Sequence, residues 1–148
     1  MAQYNGLFYT NNVPQSGPVG DAGALRTLDS GLISVTTALA NLDNGICFTA
    51  PAGFTCLYTL IESTDMDTNG APTAVLNIGD AGSATRFASS STVMQAGTAA
   101  QSLTTAGLGY QFTAPTNVLW AVPTGPATGA TGSFRVWMVG YYSATVFS

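Results

Sequence analysis

The sequence predicts an all-β protein, a jelly-roll-like β-sandwich of about eight antiparallel strands preceded by an extended N-terminal arm. Three observations point there. Short runs of Val, Thr and aromatic residues are cut at regular intervals by Gly, Pro and Asn, the pattern of sandwich strands and their turns. A four-residue segment occurs twice, as Phe48-Thr49-Ala50-Pro51 and Phe112-Thr113-Ala114-Pro115, each copy followed by an apolar run. Two like hairpins in corresponding halves are what a double Greek key requires. Finally, charged residues make up 7% of the 148-residue chain and apolar residues 46%, against about 25% charged in an ordinary soluble domain.

Residues 1–25 read as an arm. Asn11, Asn12, Pro14, Gly17, Pro18, Gly20 and Gly23 interrupt any regular element, and an aromatic cluster at Tyr4, Leu7, Phe8 and Tyr9 precedes them. The breakers fit a frayed terminus, while such apolar side chains fit an arm that docks on a neighbouring subunit. Residues 26–148 read as the sandwich, one domain large enough to bury roughly 70% of its unfolded surface. Its first strand is expected at Leu32–Leu39. Asn44-Gly45 then reads as a tight turn, because both residues tolerate positive φ. Ile46–Thr49 and Phe54–Ser63 form a hairpin through Pro51-Ala52-Gly53, and Asn69-Gly70 turns the chain into Thr73–Ile78. From Ala81 to Gly107 the residues are small and polar with weak strand character, Phe87, Val93 and Met94 anchoring a loop or a short helical turn. Gly109–Thr113, Asn117–Val122 and Ser133–Tyr142 complete the set. The last is apolar on both faces: Phe134, Val136 and Met138 alternate with Trp137, Val139 and Tyr141. A strand with one wet face should alternate apolar with polar, so this one lies centrally under other structure or meets another subunit, with Trp137 and Tyr141 as interface candidates.

The chemistry available is narrow. The chain has no histidine and no lysine, which removes Ser-His-Asp, Cys-His and Ser-Lys sites. Two thiols without imidazole do not complete an ordinary zinc site. No Gly-rich phosphate loop ends in Lys, and no GxGxxG opens a helix. Catalytic residues and cofactors are therefore not expected. Asp65-Met66-Asp67-Thr68-Asn69-Gly70 has the D-x-D-x-N-G spacing of half an EF-hand loop, which makes Asp65, Asp67 and Asn69 a weak calcium candidate. Leu76 stands where a bidentate Glu would complete the loop, so an ion-free acidic turn is the favoured reading. Arg26, Arg86 and Arg135 are the chain's cations, and with a net charge of −4 neither nucleic acid nor an anionic membrane is an expected partner. No apolar run approaches the roughly 18 residues of a membrane span. The start, Met1-Ala2-Gln3-Tyr4-Asn5, lacks the basic and apolar regions of a signal peptide, so synthesis in a cytoplasm without export by the usual route is expected. Cys47 and Cys56 flank the expected Pro51 hairpin symmetrically, where they either pair as a disulfide or serve as small apolar filler.

Taken together, Pro51-Ala52-Gly53-Phe54, the acidic turn, Val75-Leu76-Asn77-Ile78-Gly79-Asp80 and Arg86-Phe87 resemble a pattern of turns and strands in small virion proteins of tailed bacteriophages, the head decoration or cement type. The resemblance runs from Ile46 to Phe87, with fainter agreement in the C-terminal strand. It implies a jelly-roll subunit on the outer capsid surface, partnered by the major capsid protein and by itself as a homo-trimer or homo-dimer. A virion fibre or tail component with a carbohydrate-binding tip is the alternative, and it would need an exposed Trp or Tyr beside amides and carboxylates. Trp120 and Trp137 both fall in mid-strand, where core packing is the expected role.

Overall fold

The computed structural model describes residues 24–142, and among them nine strands follow one another. They are β1 (Arg26–Asp29), β2 (Ile33–Val35), β3 (Asn44–Ala50), β4 (Phe54–Ser63), β5 (Val75–Asp80), β6 (Ser83–Ser91), β7 (Ala99–Ser102), β8 (Thr116–Thr124) and β9 (Gly132–Tyr142). A single 3-10 turn, Val93–Gln95, lies between β6 and β7. All strand pairings are antiparallel and fall into two sheets. The first has the order β1-β9-β4-β7, with β2 continuing β1 along β9, and the second the order β3-β8-β5-β6.

The pairings are nested. β5 pairs with β6, β4 with β7, β3 with β8, and β1 and β2 with β9. This is a long antiparallel ribbon doubled at the β5–β6 turn, each strand of the outward half lying against its counterpart in the return half. Two further pairings, β4 with β9 and β5 with β8, roll that ribbon into facing sheets. With β1 and β2 taken as one interrupted strand, eight positions result, the arrangement of a jelly roll. The predicted fold class is thus the observed one.

Several turn assignments differ. β3 and β4 lie in different sheets, so Pro51-Ala52-Gly53 crosses the sandwich instead of closing a hairpin, and Gly53 takes φ +84° there. Asn44-Gly45 opens β3. A Cβ on Gly45 would stand 2.7 Å from Trp120 Nε1, so this glycine makes room for an indole. Asn69-Gly70 also lies on a crossing, between β4 and β5. The tight hairpin is at Ala81-Gly82, where Asp80 Oδ1 accepts from the Gly82 and Ser83 amides at 2.9 and 2.8 Å and Oδ2 from Arg86 Nε at 2.7 Å. The segment 109–113 is not a regular strand. It lies along the first half of β4, where Gly53 and Cys56 donate to the Phe112 and Tyr110 carbonyls at 2.6 and 2.9 Å.

The core lies between the sheets. Inward residues of β9 (Phe134, Val136, Met138) meet Leu76, Ile78, Val118 and Val122 of the second sheet, all essentially inaccessible. At the 51–53 end of the sandwich the rings stack in series: Phe54 to Phe112 at 6.4 Å, Phe112 to Phe87 at 5.6 Å and Phe112 to Tyr110 at 5.2 Å. Trp120 meets Phe134 edge-on at 5.1 Å.

The other end is stitched by Asp67, which is 1% exposed. Its Oδ2 accepts from the Thr73 and Ala74 amides at 2.6 and 2.9 Å, and its Oδ1 from Thr128 at 3.4 Å. Its own amide donates to Met94 O at 3.2 Å. One residue therefore ties the loops β4–β5, β6–β7 and β8–β9. Burial pulls the Asp67 pKa up, but the amides of Ala74, Thr73, Thr128 and Asn69 outweigh it and hold the carboxyl below its ordinary 3.8.

Three outcomes are expected. Asp67→Asn offers one acceptor oxygen where two serve, leaving buried amides unpaired, and should cost about 2–3 kcal/mol in urea unfolding at neutral pH. Because the folded-state pKa is depressed, the clamp contributes fully above the ordinary carboxylate pKa and fades as pH falls through the folded value. The wild-type chain should therefore lose stability below about pH 4 more steeply than the Asn variant; parallel acid slopes would refute the clamp. Phe112→Ala should cost about 3–5 kcal/mol, although position 112 lies outside regular strands, and thermal melting reads this directly.

Candidate functional site

In an antiparallel sheet directly opposed residues share a face. The register of β9 against β4 sets Glu62 opposite Arg135, Leu60 opposite Trp137, and Tyr58 opposite Val139. An irregularity between Cys56 and Tyr58 then shifts the pairing, with Thr55 opposite Tyr141. These residues look away from the core. The outer face of the first sheet thus gathers Tyr58, Leu60, Trp137, Val139 and Tyr141 into one aromatic and aliphatic patch. Val139 is buried within it, while the other four are half-buried. A centre of Trp and Tyr bordered by Arg and carboxylates is the composition of binding hot spots.

Arg135 on the border is paired, with Glu62 exposed beside it. Arg135 Nε donates to Asp29 Oδ1 at 2.9 Å, and its Nη2 donates to Oδ2 of the same carboxylate. This bidentate pair spans β9 and β1, whose register sets Asp29 against Trp137. The guanidinium lies 4.8 Å from the Trp137 ring centroid, a cation–π distance. Burial works against the Asp29 carboxylate, but Arg135, the Gly31 amide and the Trp137 indole favour it, and its pKa lies below 3.8. Asp29 pairing in turn raises Arg135 above its usual value, with Glu62 contributing. Trp137 is held from above by Arg135 and at its edge by Asp29, so the central ring of the patch is fixed before any partner arrives.

The structure brings Trp137 and Tyr141 together on this face. Tyr4, Leu7, Phe8 and Tyr9 lie outside the described residues. Of the calcium candidates, Asp65 and Asn69 are exposed while Asp67 is buried and occupied by backbone amides. Asp65 Oδ1 accepts from the Asp67 amide at 3.1 Å and Asn69 Oδ1 from Ala71 at 3.3 Å. The spacing serves turn formation, and among the described residues no group of three acidic or thiol side chains gathers to hold a metal. Cys47 and Cys56 are free and buried, on strands of opposite sheets. Burial pushes both thiols up, Cys56 to about 12, so they act as apolar filler. Trp120 is a core residue, which removes it from any sugar-stacking role.

Two residues of the patch, Tyr58 and Leu60, come from β4 and are not evident as candidates in the sequence. Their signal is the double apolar periodicity of Phe54–Ser63: Thr59 and Ile61 face inward while Tyr58 and Leu60 alternate with them outward. It is the same signature as in β9, and the two strands are neighbours.

No family model matches the chain, and no curated protein does. Solved structures do. The chain is similar to one in the cyanophage Pam1 capsid asymmetric unit, at 39% identity and a TM-score of 0.74 over 82% of this chain and 86% of that one. A chain of the capsid of Ralstonia phage GP4 is 25% identical, with a TM-score of 0.71 over the same shares, 82% and 86%. A chain of the acidic stable capsid of Helicobacter pylori bacteriophage KHP30 shares the fold at 10% identity, with a TM-score of 0.54 over 81% and 89%. A rolled sandwich with an aromatic outer face, 39% identical to its cyanophage counterpart across most of both chains, belongs to that family of phage capsid proteins and is a structural component of the virion.

Proposed function

We propose that the chain is a decoration, or cement, protein. It sits on the outer surface of the shell, binds the major capsid protein, and ties neighbouring subunits together as a homo-trimer or homo-dimer, with residues 1–25 as an arm. The observation that carries this reading is the aromatic face of the first sheet: a member of a capsid family presents a preorganised hot-spot surface on the side away from its core. Exposed leucines at both ends of the sandwich, Leu42 at one and Leu103 and Leu108 at the other, supply further apolar contact. Many modest contacts suit such a role, because repetition on a shell makes each one effectively intramolecular. The charge-poor composition supports it too, since little desolvation of charge opposes a permanent interface.

Two measurements test the proposal. Purified chain added to emptied, undecorated shells should bind at stoichiometric occupancy and raise the temperature at which shells disrupt, and removal of residues 1–20 should lower that occupancy at least tenfold. Unchanged occupancy would remove the arm from the account. In a particle reconstruction the chain should lie outside the major capsid layer; density on the inner surface or at the tail would overturn the proposal.

A further inference from the structure

Resting on the capsid reading, we infer that the aromatic outer face of the first sheet receives the N-terminal segment of a second copy of this chain. Three observations converge on that occupant. First, β1 opens beside the end of β9, with Arg26 opposite Gly140, so the described chain begins at the rim of the patch, next to Tyr141. Second, the direction of β1 at that rim points away from the patch. β1 runs antiparallel to β9 and enters the sheet where β9 leaves it, so continuing backward along β1 leads off the sheet and away from its own outer face. Tyr4 to Tyr9 lie 15–20 positions before Ala24, about 50–70 Å of extended chain. The body is about 35 Å across by its length. That maximum reach exceeds the width of the body, so a neighbouring copy lies within range of the cluster.

Third, the two surfaces match. Asp21 is the single charged residue in positions 1–23, and on the patch border Arg135 is paired to Asp29 beside the exposed Glu62. An uncharged aromatic segment docking there leaves the bidentate pair intact and Glu62 in water at the edge, whereas an anionic partner would have to compete with Asp29 for Arg135. Leu7, Phe8 and Tyr9 supply apolar area to a centre formed by Trp137, Tyr58 and Leu60. The contact is heterologous, arm to face, and such contacts close into rings when the rotation permits. A closed ring is the geometry in which every arm and every face is occupied.

A mixing experiment on full-length chains separates this arrangement from its rivals. Two variants are prepared, one altered in the arm (Phe8→Ser with Tyr9→Ser) and one in the face (Trp137→Ser with Tyr141→Ser), and masses are measured by light scattering at about 100 μM. Wild type should be oligomeric, and each variant alone should fall to monomer mass. Their equimolar mixture should regain a two-chain species, because one intact arm and one intact face remain. Circular dichroism melting confirms that each variant is folded, and should the double face variant unfold, Tyr141→Ser alone takes its place. A wild-type monomer, variants that keep the wild-type mass, or a mixture that fails to associate would each overturn the inference; the last is also what docking of the arm on its own body produces. Shell occupancy read in parallel separates this inference from the proposed function. Full occupancy by variants whose solution mass never changes defeats the exchange alone, and failure of wild type to bind shells defeats the decoration reading.

Discussion

The ladder between β4 and β9 is the contact on which the rest of the structure depends. Without it the chain would be a doubled ribbon, each outward strand paired to its return strand and one face of every pair open to water. By laying β9 against β4, from Ser63 opposite Phe134 to Phe54 opposite Tyr142, the chain folds that ribbon onto itself, and β5 meets β8 as the counterpart in the second sheet. Both central strands of the first sheet then need an apolar inner face, and each also carries an apolar outer one. The fold accounts for the inner residues. The outer residues contribute nothing to this core, which is why they read as a surface kept for contact.

With so few charges, most of those the structure describes have a structural assignment. Asp67 clamps three loops through backbone amides, Asp80 fixes the tight hairpin and holds Arg86, and Asp29 locks Arg135 over Trp137. Arg86 in turn lies 4.2 Å from the Tyr110 ring centroid, and its carbonyl accepts from the Thr104 hydroxyl, which secures the long β7–β8 connection. Buried or half-buried carboxylates are tolerable because amides or a guanidinium satisfy them. The same economy explains why an acidic loop with calcium-like spacing holds itself together: Asp, Asp and Asn at alternate positions are also what consecutive Asx turns require.

Most long strands with apolar periodicity were legible in the sequence, and connections were not; the expected strand Leu32–Leu39 shortens to β2, Ile33–Val35. β4 was expected at its observed bounds, and β9, β8 and β5 within two residues. β6 was missed because Ser83-Ala84-Thr85-Arg86-Phe87-Ala88-Ser89-Ser90-Ser91 has the composition of a loop. Its strand character comes from pairing with β5 and from burying Phe87 and Ala88, a tertiary effect that local propensity does not encode. β1 and β7 are four residues each and have the same explanation. Asn-Gly pairs misled because a glycine serves packing as readily as turning: Gly45 exists for Trp120, and Gly79, whose Cβ would stand 2.1 Å from Ser83 O, for the close return of β6. The patch was half legible. Trp137 and Tyr141 were visible in the doubly apolar β9, but Tyr58 and Leu60 joined them only once β4 was known to be the neighbour.

How such a subunit avoids random aggregation follows from its edges. A free strand edge is a template for any other chain, and each of the four edges here is blunted. The β1–β2 edge is broken at Ser30-Gly31-Leu32, with Gly31 at φ +66°. β3 carries a register shift between Ile46 and Phe48, and β6 is irregular at both ends of its pairing with β5. β7 is four residues long and small. Edge-to-edge growth, which needs a long flat ladder, is disfavoured on every side. Association is left to a sheet face and to loop ends, where side chains and not backbone groups decide the partner. That division is what a shell protein requires: strong attachment in one geometry, repeated many times, with no route to open-ended sheet extension.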